Sequence, residues 1–307
     1  MCGKRQETHQ NRIATEARLL SSEFVSSVTP CSTSEAKSYF NTCILGSMTD
    51  PLHTVFSKTP SPLIDAFRDT PLQNLYHRAH NSEYYSRYRY WRSTLKPCHF
   101  DTPKGTITLD IPAGAWLADQ ADKGHEPQLT ALLLQLGRDD VFFDVGAHVG
   151  YTTSVAQQTD IADSDIHAFE VDNYFSHVFH RNCGHDVQLN RGWVGESQGE
   201  GMVVLDEYAK TTSPPSVVKI DIEGAELTAL KGMEWLIDVH QPAIYVEVHP
   251  DRIQNFGSDI GELFDLLWSH GYETLGIGHR EEGGEWVEIT RENVETVQSN
   301  SLVRCIQ

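Results

Sequence analysis

The sequence predicts an α/β fold: a seven-stranded, mostly parallel sheet with helices on both faces. Three apolar stretches carry this prediction, VFFDVGAHVG (141–150), IHAFEVD (166–172) and VVKIDIEGAE (217–226). Each runs a strand straight into acidic residues or glycines, and helical patterns separate them. Alternating strand and helix units of this kind form a parallel sheet covered on both sides. Ligands of such sheets bind beyond the carboxyl ends of the strands, so three endings of this type describe one crevice and point to an enzyme.

Residues 1–62 read as a disordered tail and linker. Positions 1–47 hold five basic and four acidic residues, against 19 and 39 in the remaining 260, together with eight serines and half of the six cysteines. They show no sustained period. Two readings fit: a genuine tail, or an extension preceding a true start at Met48. The stretch from Asp50 to Pro62 is rich in Pro, Ser and Thr, as linkers are. Residues 63–125 form a helical and hairpin extension. Its first part, 63–95, carries short amphipathic patterns rich in Tyr and Arg, read as an arm packing on the core or a lid over the substrate mouth. GTITLDIPAGAWLAD (105–119) alternates around a Pro-Ala-Gly break and reads as a hairpin.

The principal domain is expected over 126–307. PQLTALLLQLG (127–137) places Leu129, Leu132, Leu133 and Leu136 on one helical face before Gly137. Strand 141–145 precedes a helix starting near Tyr151, and strand 166–170 a helix with Phe175, Val178 and Phe179 on one face. Val187–Val194, Val217–Ile222 and Ala243–Val248 supply further strands. LTALKGMEWLI (227–237) presents Leu227, Leu230 and Ile237 on one side. YETLGIG (272–278) and SLVRCIQ (301–307) add two closing strands, the last antiparallel.

Composition excludes several classes. A formal charge of −19 argues against a nucleic-acid partner, which requires a basic stripe to displace counterions. No run approaches the roughly 18 apolar residues of a membrane span, and the first residues lack a secretory apolar stretch, so a cytoplasmic protein is expected. Cys2, Cys31, Cys43, Cys98, Cys183 and Cys305 are scattered without C-x-x-C spacing, as free buried thiols are.

The chemistry gathers at the strand ends. Gly146 and Gly150 permit a tight turn with close backbone approach to a ligand, and the next helix begins with free N–H groups. The pair does not satisfy G-x-G-x-x-G, which disfavours an NAD-dependent oxidoreductase. Asp144 stands before the turn, placed to accept a hydrogen bond from a cofactor ammonium or water. Glu170 ends the neighbouring strand and is suited to the two hydroxyls of a ribose, each charge-assisted bond contributing on the order of 1.5 to 3 kcal/mol. Asp221, Glu223, Glu247 and His249 end the fourth and fifth strands. The spacing of two in D-I-E and E-V-H puts each pair on one side of its strand, so the four converge as acid–base catalysts or as ligands of a hard cation. Helix capping competes as a role for Glu223 and, more strongly, Glu226. His249 is the better base by its ordinary titration range.

The stretches EPQLTALLLQLGRDDVFFDVGAHVGYTT, AFEVDNYFSHVFHRN, VVLDEYA, VVKIDIEGAELTALKGMEWLI and PAIYVEVHP together resemble the FkbM-type S-adenosylmethionine-dependent methyltransferases, within the class I methyltransferase fold. The resemblance covers roughly 126–250, and KIDIEGAE with a downstream Leu-Lys-Gly is its most specific part. It implies that Asp144, Gly146 and Gly150 cradle the methionine end of the cofactor, with His148 in the same turn, that Glu170 holds the ribose, and that Asp221 lies beside the transfer site. His148 stands where that family often has Asn, and Val171 where it often has Pro.

The expected function is therefore methyl transfer from S-adenosylmethionine to a hydroxyl of a small metabolite or glycan. Asp221, His249, Glu223 and Glu247 are the catalytic candidates. No residue is assigned as a metal ligand, although a divalent metal is compatible with the cluster, and no nucleic-acid or membrane partner is expected. A non-catalytic nucleotide-binding module is the other alternative.

Overall fold

The computed structural model describes Ser86, residues 89–90, 93–121, 124–278 and 284–307. The tail and linker over 1–62, and all of the Tyr- and Arg-rich arm except Ser86, 89–90 and 93–95, lie outside the described residues. Residues Thr94–Gln307 form one unit.

An antiparallel hairpin opens this unit, β1 (Leu95–Thr102) paired with β2 (Gly105–Pro112). The alternation read over 105–119 is real, since Ile107, Leu109 and Ile111 are buried between more exposed neighbours. The Pro-Ala-Gly break, however, ends the hairpin instead of turning it: the turn lies at 103–104, and β1 precedes the stretch singled out from the sequence. Asn182 ties the hairpin to the helix Asn173–Cys183, accepting from the Asp110 N–H at 2.8 Å.

The following elements are α1 (Pro127–Leu133), β3 (Phe142–Val145), α2 (Tyr151–Ala156), β4 (Ile166–Glu170), α3 (Asn173–Cys183), β5 (Gln188–Arg191), β6 (Trp193–Val194), β7 (Met202–Val203) and α4 (Leu205–Ala209). Then come β8 (Val217–Ile220), α5 (Glu226–Lys231), α6 (Glu234–His240), β9 (Ala243–Val248), α7 (Pro250–Ile253), α8 (Ile260–Ser269), β10 (Glu273–Gly278), β11 (Val287–Glu288) and β12 (Ser301–Ile306). The main sheet runs β11-β10-β12-β9-β8-β3-β4-β5. Strands β5, β4, β3, β8 and β9 are parallel, and β12 lies antiparallel between β9 and β10. Seven strands are those expected, and the two-residue β11 extends one edge.

Burial explains the ordering. Every residue of β3, β4 and β8 is buried, as required of central parallel strands covered on both faces, whereas edge strand β5 has none buried. Phe143, Val145, Val218, Ile220, Ile244 and Val246 pack one face against Leu227, Leu230, Leu236, Phe264 and Leu267. Each such side chain contributes roughly 1.5 to 3 kcal/mol when fully buried.

Two glycines break elements that the sequence pattern runs together. A Cβ on Gly192 would come within 2.8 Å of the Gly201 carbonyl oxygen, and there the strand expected over 187–194 divides into β5 and β6, the latter pairing with β7. A Cβ on Gly232 would stand 2.2 Å from the Gly195 carbonyl oxygen, and the helix expected over 227–237 divides there into α5 and α6. The helix after 127 likewise ends at Leu133, three residues before Leu136. Cys98, Cys183 and Cys305 are buried, and among the described residues no helix is long and apolar enough to cross a membrane.

Candidate active site

The parallel register aligns the strand ends. Val145 pairs with Phe169 and with Ile220, and Ile220 with Val246. Gly146, Glu170, Asp221 and Glu247 therefore emerge at one edge of the sheet. They line a single cavity of about 850 Å³, within the range of sites that hold a small molecule.

On the β3–β4 side the turn is held by backbone. The N–H groups of Gly146 and Ala147 both donate to the Phe169 carbonyl at 3.0 Å. Gly146 has φ +83°, and a Cβ there would lie 1.8 Å from the Asp221 carbonyl oxygen, so the neighbouring strand leaves room for nothing but hydrogen. The Glu170 carboxylate accepts from the His148 N–H at 2.8 Å through one oxygen and from the Asp172 N–H at 2.7 Å through the other. Each oxygen retains acceptor capacity toward the cavity. Burial pushes this carboxyl up to about 7, against the two backbone donors. His148 adopts φ +49° and its ring lies 4.0 Å, centroid to centroid, from Phe175. Burial, and then the Lys219 charge, lower its imidazole to about 4, so it is neutral at physiological pH.

Asp144 and Gly150 do not line the cavity. Asp144 is fully buried, accepting from the hydroxyls of Thr152 at 2.6 Å and Thr153 at 2.7 Å, with Lys219 Nζ 3.3 Å from its other oxygen. The direct ligand contact expected from its sequence position is replaced by support of the turn from below. Gly150, at φ +94°, accommodates α3: its Cβ would fall 2.3 Å from Cys183 Sγ.

Lys219 connects the two halves. Its ammonium donates to the Gly146 carbonyl at 2.8 Å and stands 4.0 Å from Asp221. Burial pushes the pKa down, but Asp144 and Asp221 outweigh it and the group is held above its ordinary range. Lys219 is a functional residue outside the strand-end motifs, and its signal in the sequence is a lysine within the apolar run VVKI, since buried lysines are almost always paired.

The β8–β9 side is built from charged side chains. Asp221, Glu247 and His249 each direct a ligand-type atom into one space, all within 4.8 Å of one another. Burial raises the Asp221 carboxyl to about 7, Lys219 opposing and Glu247 adding to the shift. His249 is 2% exposed. Its Nδ1 lies 2.8 Å from Glu226 Oε1, while Nε2 has Glu223 at 3.5 Å and Glu247 at 3.6 Å. Burial works to lower the His249 pKa, but the hydrogen bond and charge of Glu226 prevail and raise it. Glu223 is largely exposed, at φ +59°, and ion-pairs with Arg252.

Glu226 takes a role distinct from the cap favoured by its position. It is fully buried and its Oε1 accepts from the Gly224 N–H at 2.8 Å as well as engaging His249. Nothing local in the sequence separates this role from capping, because the partner is 23 residues away. Trp116 and Trp193, 47% and 50% exposed, also line the cavity and were not anticipated.

Comparison with known proteins places a family on part of this framework. Residues 201–274 match the family described as the methyltransferase FkbM domain. No curated protein matches the chain. Among solved structures, methyltransferase FkbM from Methylobacillus flagellatus KT is similar at 15% identity, covering 80% of this chain and 59% of that one, with a TM-score of 0.41. Precorrin-6y C5,15-methyltransferase from Geobacter metallireducens GS-15 is similar at 15% identity over 58% and 83% of the two chains, with a TM-score of 0.37. The O-methyltransferase from Bacillus cereus in complex with SAH is similar at 12% identity over 62% and 85%, with a TM-score of 0.40. The fold assignment stands on the strand order itself, five parallel strands followed by one antiparallel strand inserted before the last parallel one. Residues 201–274 are thus similar to the FkbM methyltransferase domain, within an eight-stranded, mostly parallel α/β sheet.

Proposed function

We propose that this chain transfers a methyl group from S-adenosylmethionine to a hydroxyl oxygen of a small metabolite or glycan. The observation that carries the reading is the continuity of one cavity from Glu170 to the cluster of Asp221, Glu247 and His249. A cofactor held on the first side and an acceptor on the second meet over Gly146, where the chain leaves space for both.

The residues fit the cofactor. Glu170, preset by two backbone donors, accepts hydroxyls of a ribose through its remaining lone pairs. Phe175 and the neutral His148 ring offer an apolar wall. When bound, the cofactor supplies a methyl carbon activated by a positively charged sulfur.

The rest of the work falls to the chain. The principal requirement is to hold the acceptor oxygen in line with the methyl carbon at about 3 to 3.5 Å. Trp116 and Trp193 offer ring faces at the mouth, which favours a sugar or another ring-bearing acceptor. Loss of the acceptor's proton is favoured by the carboxylates facing it. His249, fixed through Nδ1 by Glu226 at 2.8 Å, faces the acceptor side of the cavity. The formal net charge of −19 supports a small-molecule or glycan acceptor in place of nucleic acid.

Calorimetric titration tests the reading. S-adenosylmethionine and its demethylated product are expected to bind and to raise the melting temperature, and NAD to do neither. Binding of NAD alone would replace the methyltransferase with an oxidoreductase. Binding without turnover over a panel of labelled acceptor reactions would favour the non-catalytic module.

A further inference from the structure

We infer that Asp221, Glu247 and His249 bind a divalent cation of the manganese class, with Glu226 as the carboxylate that orients the histidine. The inference deepens the methyl-transfer reading by naming how the acceptor hydroxyl is activated, although cation binding itself is measurable without it.

The donor set comes first. One oxygen each from Asp221 and Glu247 and one ring nitrogen of His249 lie within 4.8 Å of one another. Metal–ligand bonds of about 2.0 to 2.2 Å place adjacent ligands roughly 3 to 3.6 Å apart, so an inward movement of the side chains closes the three on one ion. Two carboxylates with one imidazole suit manganese better than magnesium or calcium, which take oxygen sets. Three protein ligands leave positions open for the oxygens of an acceptor.

The second observation is the state of His249. This residue is 2% exposed, faces the cavity, and presents an Nε2 whose nearest oxygens, at 3.5 and 3.6 Å, are beyond a normal N–H···O hydrogen bond. The other ring nitrogen is fixed by Glu226 at 2.8 Å. A buried carboxylate on the far nitrogen is the arrangement that holds a metal-ligating histidine in the correct tautomer and raises its basicity. Glu226 Oε2 is moreover buried without a hydrogen-bond partner.

The charge around the site points the same way. Asp144, Asp221, Glu223, Glu226 and Glu247 cluster against two fixed cations, Lys219 and Arg252. Lys219 is committed to Asp144 and the Gly146 carbonyl, and Arg252 to Glu223. A divalent ion held by Asp221, Glu247 and His249 would add positive charge among these carboxylates, and an acceptor hydroxyl bound to that ion ionises more readily, its proton leaving to solvent.

The test uses the full chain, stripped with a chelator and titrated with Mn²⁺ while free ion is followed by electron paramagnetic resonance. The expected result is one tightly bound ion per chain, with a nitrogen coupling from His249 in the pulsed spectrum. Glu247→Gln and His249→Asn should each weaken binding at least ~10-fold, and His249→Asn should abolish the nitrogen coupling. Glu226→Gln should weaken it by about 10- to 100-fold. Exposed Glu207→Gln should leave it unchanged. S-adenosylmethionine binding is measured on the same samples. If the cofactor binds but Mn²⁺ does not, or Mn²⁺ binds equally to Glu247→Gln and His249→Asn, the cation site is wrong while the methyltransferase stands. If Mn²⁺ binds with the nitrogen coupling and the cofactor does not, the cation site stands and the proposed function fails.

Discussion

The two sides of the cavity are held by different chemistry. On the β3–β4 side the Glu170 carboxylate is positioned by main-chain N–H groups, and the turn is shaped by Gly146. On the β8–β9 side four carboxylates and an imidazole hold one another, with Glu226 fixing His249 across 23 residues. Main-chain donors are rigid and insensitive to most substitutions, which suits a site for an invariant cofactor. A network of charges responds to protons, ions and substrate, which suits the side where reaction occurs. Lys219 spans both, touching the turn and Asp221.

The largest effect is expected where the halves join. Lys219→Met leaves Asp144 buried and uncompensated, and should cost about 3 to 5 kcal/mol in urea unfolding. Adding Asp144→Asn should recover most of it, because the orphaned charge is then removed too. Failure of that rescue would show that Lys219 acts through packing. Gly146→Ala comes next, with a loss of about 2 to 4 kcal/mol, because positive φ and a contact with the Asp221 backbone act together.

Catalytic contrast separates the sides more finely. Asp221→Asn should lower turnover by about 10²-fold or more with little change in cofactor affinity, measured by single-turnover methyl transfer. An equal loss of affinity would erase the division drawn here.

The smallest effect lies in the pH dependence. Glu170 has a folded pKa near 7 against an ordinary 4.5, so the native state binds its proton more tightly. Its contribution is fully present below about 4.5 and is lost as pH rises toward 7, amounting to at most about 3 kcal/mol. His148, lowered to about 4 from 6.5, acts oppositely, its contribution being present above 6.5 and lost as pH falls toward 4. The two partly cancel in the intact protein. Glu170→Gln should therefore make stability rise more steeply between pH 4.5 and 6.5, as followed by thermal melts, and His148→Asn should make it rise less.

The same comparison explains what was legible in the sequence. Central strands such as FFDV and VVKI declare themselves by apolar runs broken by a single charged residue, and the glycine at 146 declares the turn. Gly146, His148, Glu170, Asp221, Glu223, Glu247 and His249 all reach the cavity. Asp144 was misplaced because strand position does not say which way the end residue turns, and here two hydroxyls and a lysine draw it under the loop. The roles of Lys219 and Glu226 depend on partners distant in sequence. Gly192 and Gly232 break a strand and a helix through close approach to a neighbouring backbone, which no local period reports.

The central claim is that one chamber joins a cofactor-holding wall to a separate acceptor-activating wall. Calorimetric affinity for S-adenosylmethionine, compared across the intact chain, Glu170→Gln and Asp221→Asn, tests it most directly. The account predicts binding by the intact chain, a loss of roughly 10-fold or more in Glu170→Gln, since a charge-assisted bond contributes about 1.5 to 3 kcal/mol, and little change in Asp221→Asn. No binding by the intact chain, or a loss confined to Asp221→Asn, would contradict it.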